Sequence, residues 1–154
     1  MTRTQNVSDT DQQTNKQTNK QTNTAPTNSY HIIKTSSCDA LSGGSTLDYE
    51  IGSDSNKQLH IRITSNSGGG FFSSECVSLK DIQGTLNDQP NSKRITSVAL
   101  SGLFKGRSVN SHTFLMATLK AERFIKPSGN LKRFHECADD KTFKSLTRAL
   151  ISIK

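Results

Sequence analysis

Residues 47–63 read Leu47-Asp48-Tyr49-Glu50-Ile51-Gly52-Ser53-Asp54-Ser55-Asn56-Lys57-Gln58-Leu59-His60-Ile61-Arg62-Ile63. Leu47, Tyr49 and Ile51 alternate with Asp48 and Glu50. Leu59, Ile61 and Ile63 alternate with His60 and Arg62. A period of two places each apolar trio on one face and the polar residues on the other. Gly52 to Lys57 is turn chemistry. The stretch therefore predicts an antiparallel hairpin with one wet face. On that face Asp48 or Glu50 stands across from His60 or Arg62.

On the N-terminal side, Tyr30 to Lys34 is a short strand candidate, and Ser42-Gly43-Gly44-Ser45 a loop. Before Tyr30 the composition changes. Hydrophobic residues are 31% of the 154, against a usual ~45–50% for a similar set that also counts glycine. The deficit lies in residues 1–29, where Met1, Val7, Ala25 and Pro26 are the apolar residues. A Thr-Asn-Lys-Gln repeat fills residues 12–23. Such a segment buries too little to offset ordering entropy, so it reads as a disordered polar tail. Residues 30–154 then form a single α+β domain: a mildly acidic, β-rich half (30–90) and a basic, helical half (91–154). No apolar run approaches the ~18 residues of a membrane span, and the N-terminus is too polar for a secretory signal. The expected location is cytoplasmic.

Toward the C-terminus, Gly68-Gly69-Gly70 opens into Phe71-Phe72. One of the two phenylalanines is expected in the core. The other is either core or an exposed stacking platform. Ser73 or Ser74 is a candidate N-cap for a helix over Val77, Leu79, Ile82 and Leu86, weakened at Gly84. Ile95 to Phe104 is compatible with helix or strand. After the basic turn Lys105-Gly106-Arg107-Ser108, Asn110 or Ser111 opens a helix to about Ile125. On a helical wheel Phe114, Leu115, Ala117, Ala121, Phe124 and Ile125 share a broad apolar side, on which Thr118 and Glu122 intrude. The opposite arc holds His112, Thr113, Met116, Lys120 and Arg123. Pro127-Ser128-Gly129-Asn130 is a tight turn, and Leu131 to Cys137 alternates again. Asp139 or Asp140 caps a last helix with a stripe of Phe143, Leu146, Leu150 and Ile153.

The formal net charge of +7 is unevenly spread. Residues 1–30 carry +1. Residues 31–90 carry four bases and seven acids, or −3. Residues 91–154 carry thirteen bases and four acids, or +9. That asymmetry points to a polyanion-binding surface on one side. The order of elements over 77–137 (helix, short segment, basic turn, amphipathic helix, hairpin with a basic tip) resembles a winged helix-turn-helix domain. The resemblance implies a DNA-binding fold with 110–125 as recognition helix and 124–136 as wing. It implies phosphate contacts from Lys105, Arg107, Lys126, Lys132 and Arg133, and base-edge contacts from His112, Lys120 and Arg123.

Catalytic signatures are sparse. Cys38, Cys76 and Cys137 lie far apart with no C-x-x-C, and His135 with Cys137 supplies only half of a structural zinc site. Free thiols are the expectation. No phosphate-cradling glycine motif is present. The acids Asp48, Glu50 and Asp54 do not form an acid–base pair with further carboxylates. No metal, cofactor or enzymatic activity is expected. The sequence favours a small nucleic-acid-binding regulator or accessory factor, with duplex DNA as partner. The alternative is a protein-interaction module or inhibitor docking on a nucleoprotein complex. A protein partner or homodimer is compatible with either.

Overall fold

The computed structural model of the chain describes residues 30–106 and 108–153. The tail expected at 1–29 and the candidate Arg107 lie outside them. The architecture is α+β, an antiparallel sheet followed by helices. Strands β1 (His31–Asp39), β2 (Thr46–Ser53), β3 (Leu59–Asn66) and β4 (Val77–Ser78) form one sheet in the order β1-β2-β3-β4. Helix α1 spans Leu79–Asn87, and a 3-10 segment spans Ser97–Leu103. Helix α2 spans Ser111–Ala121, β5 and β6 span Ile125–Pro127 and His135–Cys137, and α3 spans Asp140–Ile151.

The alternation at 47–63 becomes β2 and β3. Tyr49 stands opposite Ile63, and Ile51 opposite Ile61. Leu47, Tyr49, Ile51, Leu59, Ile61 and Ile63 are all buried. On the wet face Glu50 pairs with Arg62, whose Nη2 donates at 2.6 Å. Asp48 instead accepts from Ser37 and Ser65. The Asp54 carboxylate closes the turn, accepting from the backbone N–H groups of Asn56 and Gln58 at 2.8 and 2.9 Å. Gly52 has no room for a side chain. A Cβ there would lie 2.7 Å from the His31 carbonyl oxygen.

The inner face of the sheet packs against α2. Phe114 through Leu119 are consecutively buried, because the 3-10 segment, as well as the sheet, packs against the helix. This corrects the wheel, which put Met116 on the solvent face. An amphipathic surface helix leaves one side free; a helix covered on two sides does not. The helix also stops at Ala121 rather than Ile125. Arg123 takes a left-handed φ of 68°, and the Phe124 N–H returns to the Leu119 carbonyl at 2.9 Å.

Three further boundaries differ from expectation. The cap of α1 is Ser78, not Ser73 or Ser74, because Val77 is drawn into β4 opposite Ile61. The ambiguous apolar segment is 3-10, preceded by Ile95, which exchanges two backbone hydrogen bonds with His135. Residues 131–134 turn rather than extend, with the Phe134 N–H bonded to the Leu131 carbonyl. Asp139 does cap α3, accepting from the Thr142 N–H at 2.9 Å. Phe143 from α3 meets Phe124 with ring centroids 4.6 Å apart. The buried hydrophobic cluster thus draws side chains from both the acidic and the basic half.

Candidate nucleic-acid interface

The basic residues follow from the C-terminal end of α2 and the hairpin after it. Residue Lys120 is exposed in the last turn of α2, and Arg123 is exposed in the reversal that ends it. Strand β5 then carries Lys126 opposite Glu136 of β6. Their side chains pair at 2.9 Å, which holds the Glu136 carboxyl below its ordinary range. Lys132 and Arg133 project from the loop joining the strands, both exposed. The bridge from Ile95 to His135 brings the preceding segment alongside β6. It adds Lys93 and Arg94 to the same end of the fold.

Phe134 organises part of this surface. The Arg94 guanidinium carbon lies 4.5 Å from its ring centroid, and that of Arg133 lies 4.8 Å away. Both distances are within cation–π range, worth roughly 0.5–1 kcal/mol at exposed sites. The ring therefore fixes two guanidiniums that would otherwise repel. A planar guanidinium held in place is suited to bidentate phosphate contact. Glu136 is the carboxylate among them, and Lys126 engages it.

Beneath the hairpin, His135 is buried, and its Nδ1 has no hydrogen-bond partner among the described residues. Burial and the nearby Lys120 charge hold its ring below the ordinary histidine range. It is a neutral support for the hairpin and contributes no surface cation.

Of the eight residues expected to bind nucleic acid, the seven that are described do not form one surface. Five of them, Lys120, Arg123, Lys126, Lys132 and Arg133, gather at the hairpin end. His112 sits at the other end of α2, about 12 Å from Lys120 along the axis at 1.5 Å per residue, and Lys105 lies before that end of the helix. The Lys105 backbone N–H is tied to Glu75 at 3.1 Å, and His112 is half-buried, its Nδ1 3.4 Å from the Thr113 hydroxyl. Helix α2 is buried over Phe114–Leu119, so His112 and Thr113 at its start and Lys120 and Ala121 at its end are the positions it leaves accessible. Sequence reasoning missed Lys93, Arg94 and Phe134. The signal was the pairing of Arg133 with an aromatic neighbour, but only the tertiary bridge at Ile95 supplies Arg94.

Glu122 is a second residue whose role was hidden. Its intrusion on the apolar wheel was the clue. The side chain, 8% exposed, accepts from Lys34 and from the Tyr49 hydroxyl. This polar knot lies between β1, β2 and α2. The two phenylalanines separate: Phe72 packs on Phe114, with centroids 6.0 Å apart, while Phe71 is 91% exposed.

Among the described residues no group of three His, Cys, Asp or Glu side chains is placed to hold a metal ion. No described helix is long and apolar enough to cross a membrane. No known protein family, curated protein or solved structure matches this chain.

Proposed function

We propose that this protein binds nucleic acid, with duplex DNA as the favoured form, through the β5–β6 hairpin and the segment at Lys93 and Arg94. The observation that carries this reading is the placement of Arg94 and Arg133 about Phe134. Around them Lys93, Lys120, Arg123 and Lys132 form no ion pair among the described residues. Contacts of this kind hold phosphates and set register; they do not read bases. The protein then acts as a regulator or accessory factor without a catalytic step, alongside intracellular nucleic acid in the cytoplasm. Charge reversal at the tip, Lys132→Glu with Arg133→Glu, tests it. Duplex affinity should fall at least tenfold while the fold is retained. Unchanged affinity in the folded variant overturns the reading.

A second reading is a protein-docking module, and Phe71 favours it. Its carbonyl accepts from the Ser108 hydroxyl at 2.6 Å and the Asn110 amide at 2.8 Å. The exposed ring is thus presented on a fixed backbone beside the exposed Val109. Rigid exposed aromatics are typical anchors of protein interfaces. A stoichiometric protein partner lost on Phe71→Ala, and insensitive to nuclease, would support this reading over the first.

A further inference from the structure

A cleft of about 380 Å³ opens beside the hairpin, between β5, β6, the segment at Ser92 and Lys93, and the start of α3. That volume lies in the range of small-ligand sites, roughly 300–1,000 Å³. Three cations line it: Lys93, Arg123 and Lys126. Two carboxylates also line it, and both are occupied. Glu136 pairs with Lys126 at 2.9 Å. Asp139 caps α3, accepting from the Thr142 N–H at 2.9 Å and the Thr142 hydroxyl at 3.0 Å. Neither Lys93 nor Arg123 has a carboxylate within ion-pairing distance among the described residues.

The backbone at Arg123 adds to this. Its φ of 68° lies in the left-handed region. The position just past a helix end with that geometry is ordinarily glycine, which adopts it without strain. A bulky residue there is an outlier, and such outliers cluster at ligand sites. Here the strained residue places a guanidinium in the wall of a cleft that already holds two lysines.

We propose that this cleft seats the phosphate group of a nucleotide. Arg123 is its bidentate ligand, and Lys93 and Lys126 flank it. The proposal rests on the nucleic-acid reading above for the kind of anion. It adds one specific phosphate seat to a surface otherwise built for diffuse charge contact.

The test is an NMR titration of the full chain with adenosine 5′-monophosphate, and with adenosine as the phosphate-free control. The nucleotide should shift the amides of Lys93, Arg123 and Thr142, and adenosine should not. Arg123→Gly should weaken nucleotide binding at least fivefold while its melting temperature stays level or rises, because glycine relieves the left-handed backbone. Arg123→Lys, which keeps charge but loses the fork, should also bind more weakly than wild type. Equal binding by wild type and Arg123→Gly, or by adenosine and the nucleotide, overturns the proposal. Salt-dependent oligonucleotide binding with an unperturbed cleft also overturns it, and leaves the interface reading intact. Nucleotide seated in the cleft without oligonucleotide binding overturns the interface reading instead and assigns the cleft to free nucleotides.

Discussion

Lys34 of β1 and Glu122 at the end of α2, 88 residues apart in sequence, meet through both carboxylate oxygens, at 2.7 and 2.9 Å. The Tyr49 hydroxyl reaches the same carboxylate from β2. Three elements are thereby tied at a point where an acid would otherwise be stranded under the sheet. Removing the base leaves a shielded carboxylate without its partner, a larger effect than the pair's own net worth. Lys34 is a third exposed, so the cost is set below that of a fully buried pair. Lys34→Met should destabilise the protein by about 2 kcal/mol in urea unfolding. Adding Glu122→Gln should recover part of that loss. A double variant less stable than Lys34→Met alone would contradict this account.

His135 gives the fold a pH dependence with a definite sign. Burial, with the Lys120 charge second, depresses its folded-state pKa below the usual 6.5. The unfolded chain therefore takes up the proton first as pH falls. Stability should decline as pH drops through about 6.5 and continue to fall until the folded-state pKa is reached. Depressed carboxyls such as Asp54, Glu75 and Asp139 act in a lower window, below their unfolded values near 4. Urea midpoints at pH 7.5 and 5.5 separate these effects. His135→Leu should flatten the difference between the two; an unaltered difference would show that His135 does not carry it.

The two adjacent phenylalanines should behave as opposites. Phe72→Ala removes a ring that touches Phe114 and should cost about 2–3 kcal/mol, below the full range for buried aromatics because Phe72 is half-buried. Phe71→Ala removes an exposed ring and should change stability by no more than about 0.5 kcal/mol. Thermal or urea unfolding of both variants decides. A large loss at Phe71 would show that its exposure is not a property of the folded state.

Asp139 anchors α3 through two bonds to Thr142. Asp139→Ala should cost about 1 kcal/mol, the usual value of an N-cap. Asp139→Asn should recover most of it, since the amide oxygen still accepts. Equal losses in the two variants would point to charge rather than capping as the contribution.

Much of the fold was legible where a period of two met turn residues. The β2–β3 hairpin and its buried face follow from alternation alone, which leaves open whether Asp48 or Glu50 meets His60 or Arg62; the register selects Glu50 and Arg62. The cap of α3 is narrowed by sequence to Asp139 or Asp140, and the structure selects Asp139. The failures share a cause, which is burial imposed from outside the element. A helical wheel puts Met116 toward solvent because it does not register that the 3-10 segment also packs against α2. The pattern carries the helix past Ala121 because arginine at 123 gives no hint of a left-handed turn, where glycine would announce it. At the interface, the excess of bases after residue 91 was plain. Its focus was not, because Arg94 reaches Phe134 only through the backbone bridge from Ile95 to His135. Glu122 was visible as an anomaly on an apolar face, but its partner Lys34 was too distant in sequence to name.

The proposed polyanion grip at the hairpin end depends on Arg94 and Arg133. The direct measurement is fluorescence-anisotropy titration of a labelled duplex at two salt concentrations, with wild type and with Arg94→Ala, Arg133→Ala. The six cations here without an ion pair among the described residues predict a log–log salt slope near −5 for wild type. The double variant should bind at least tenfold more weakly with a slope shallower by about two. Absence of binding at low salt, or a folded double variant that binds as wild type does, would show that the hairpin end does not grip a polyanion through these arginines.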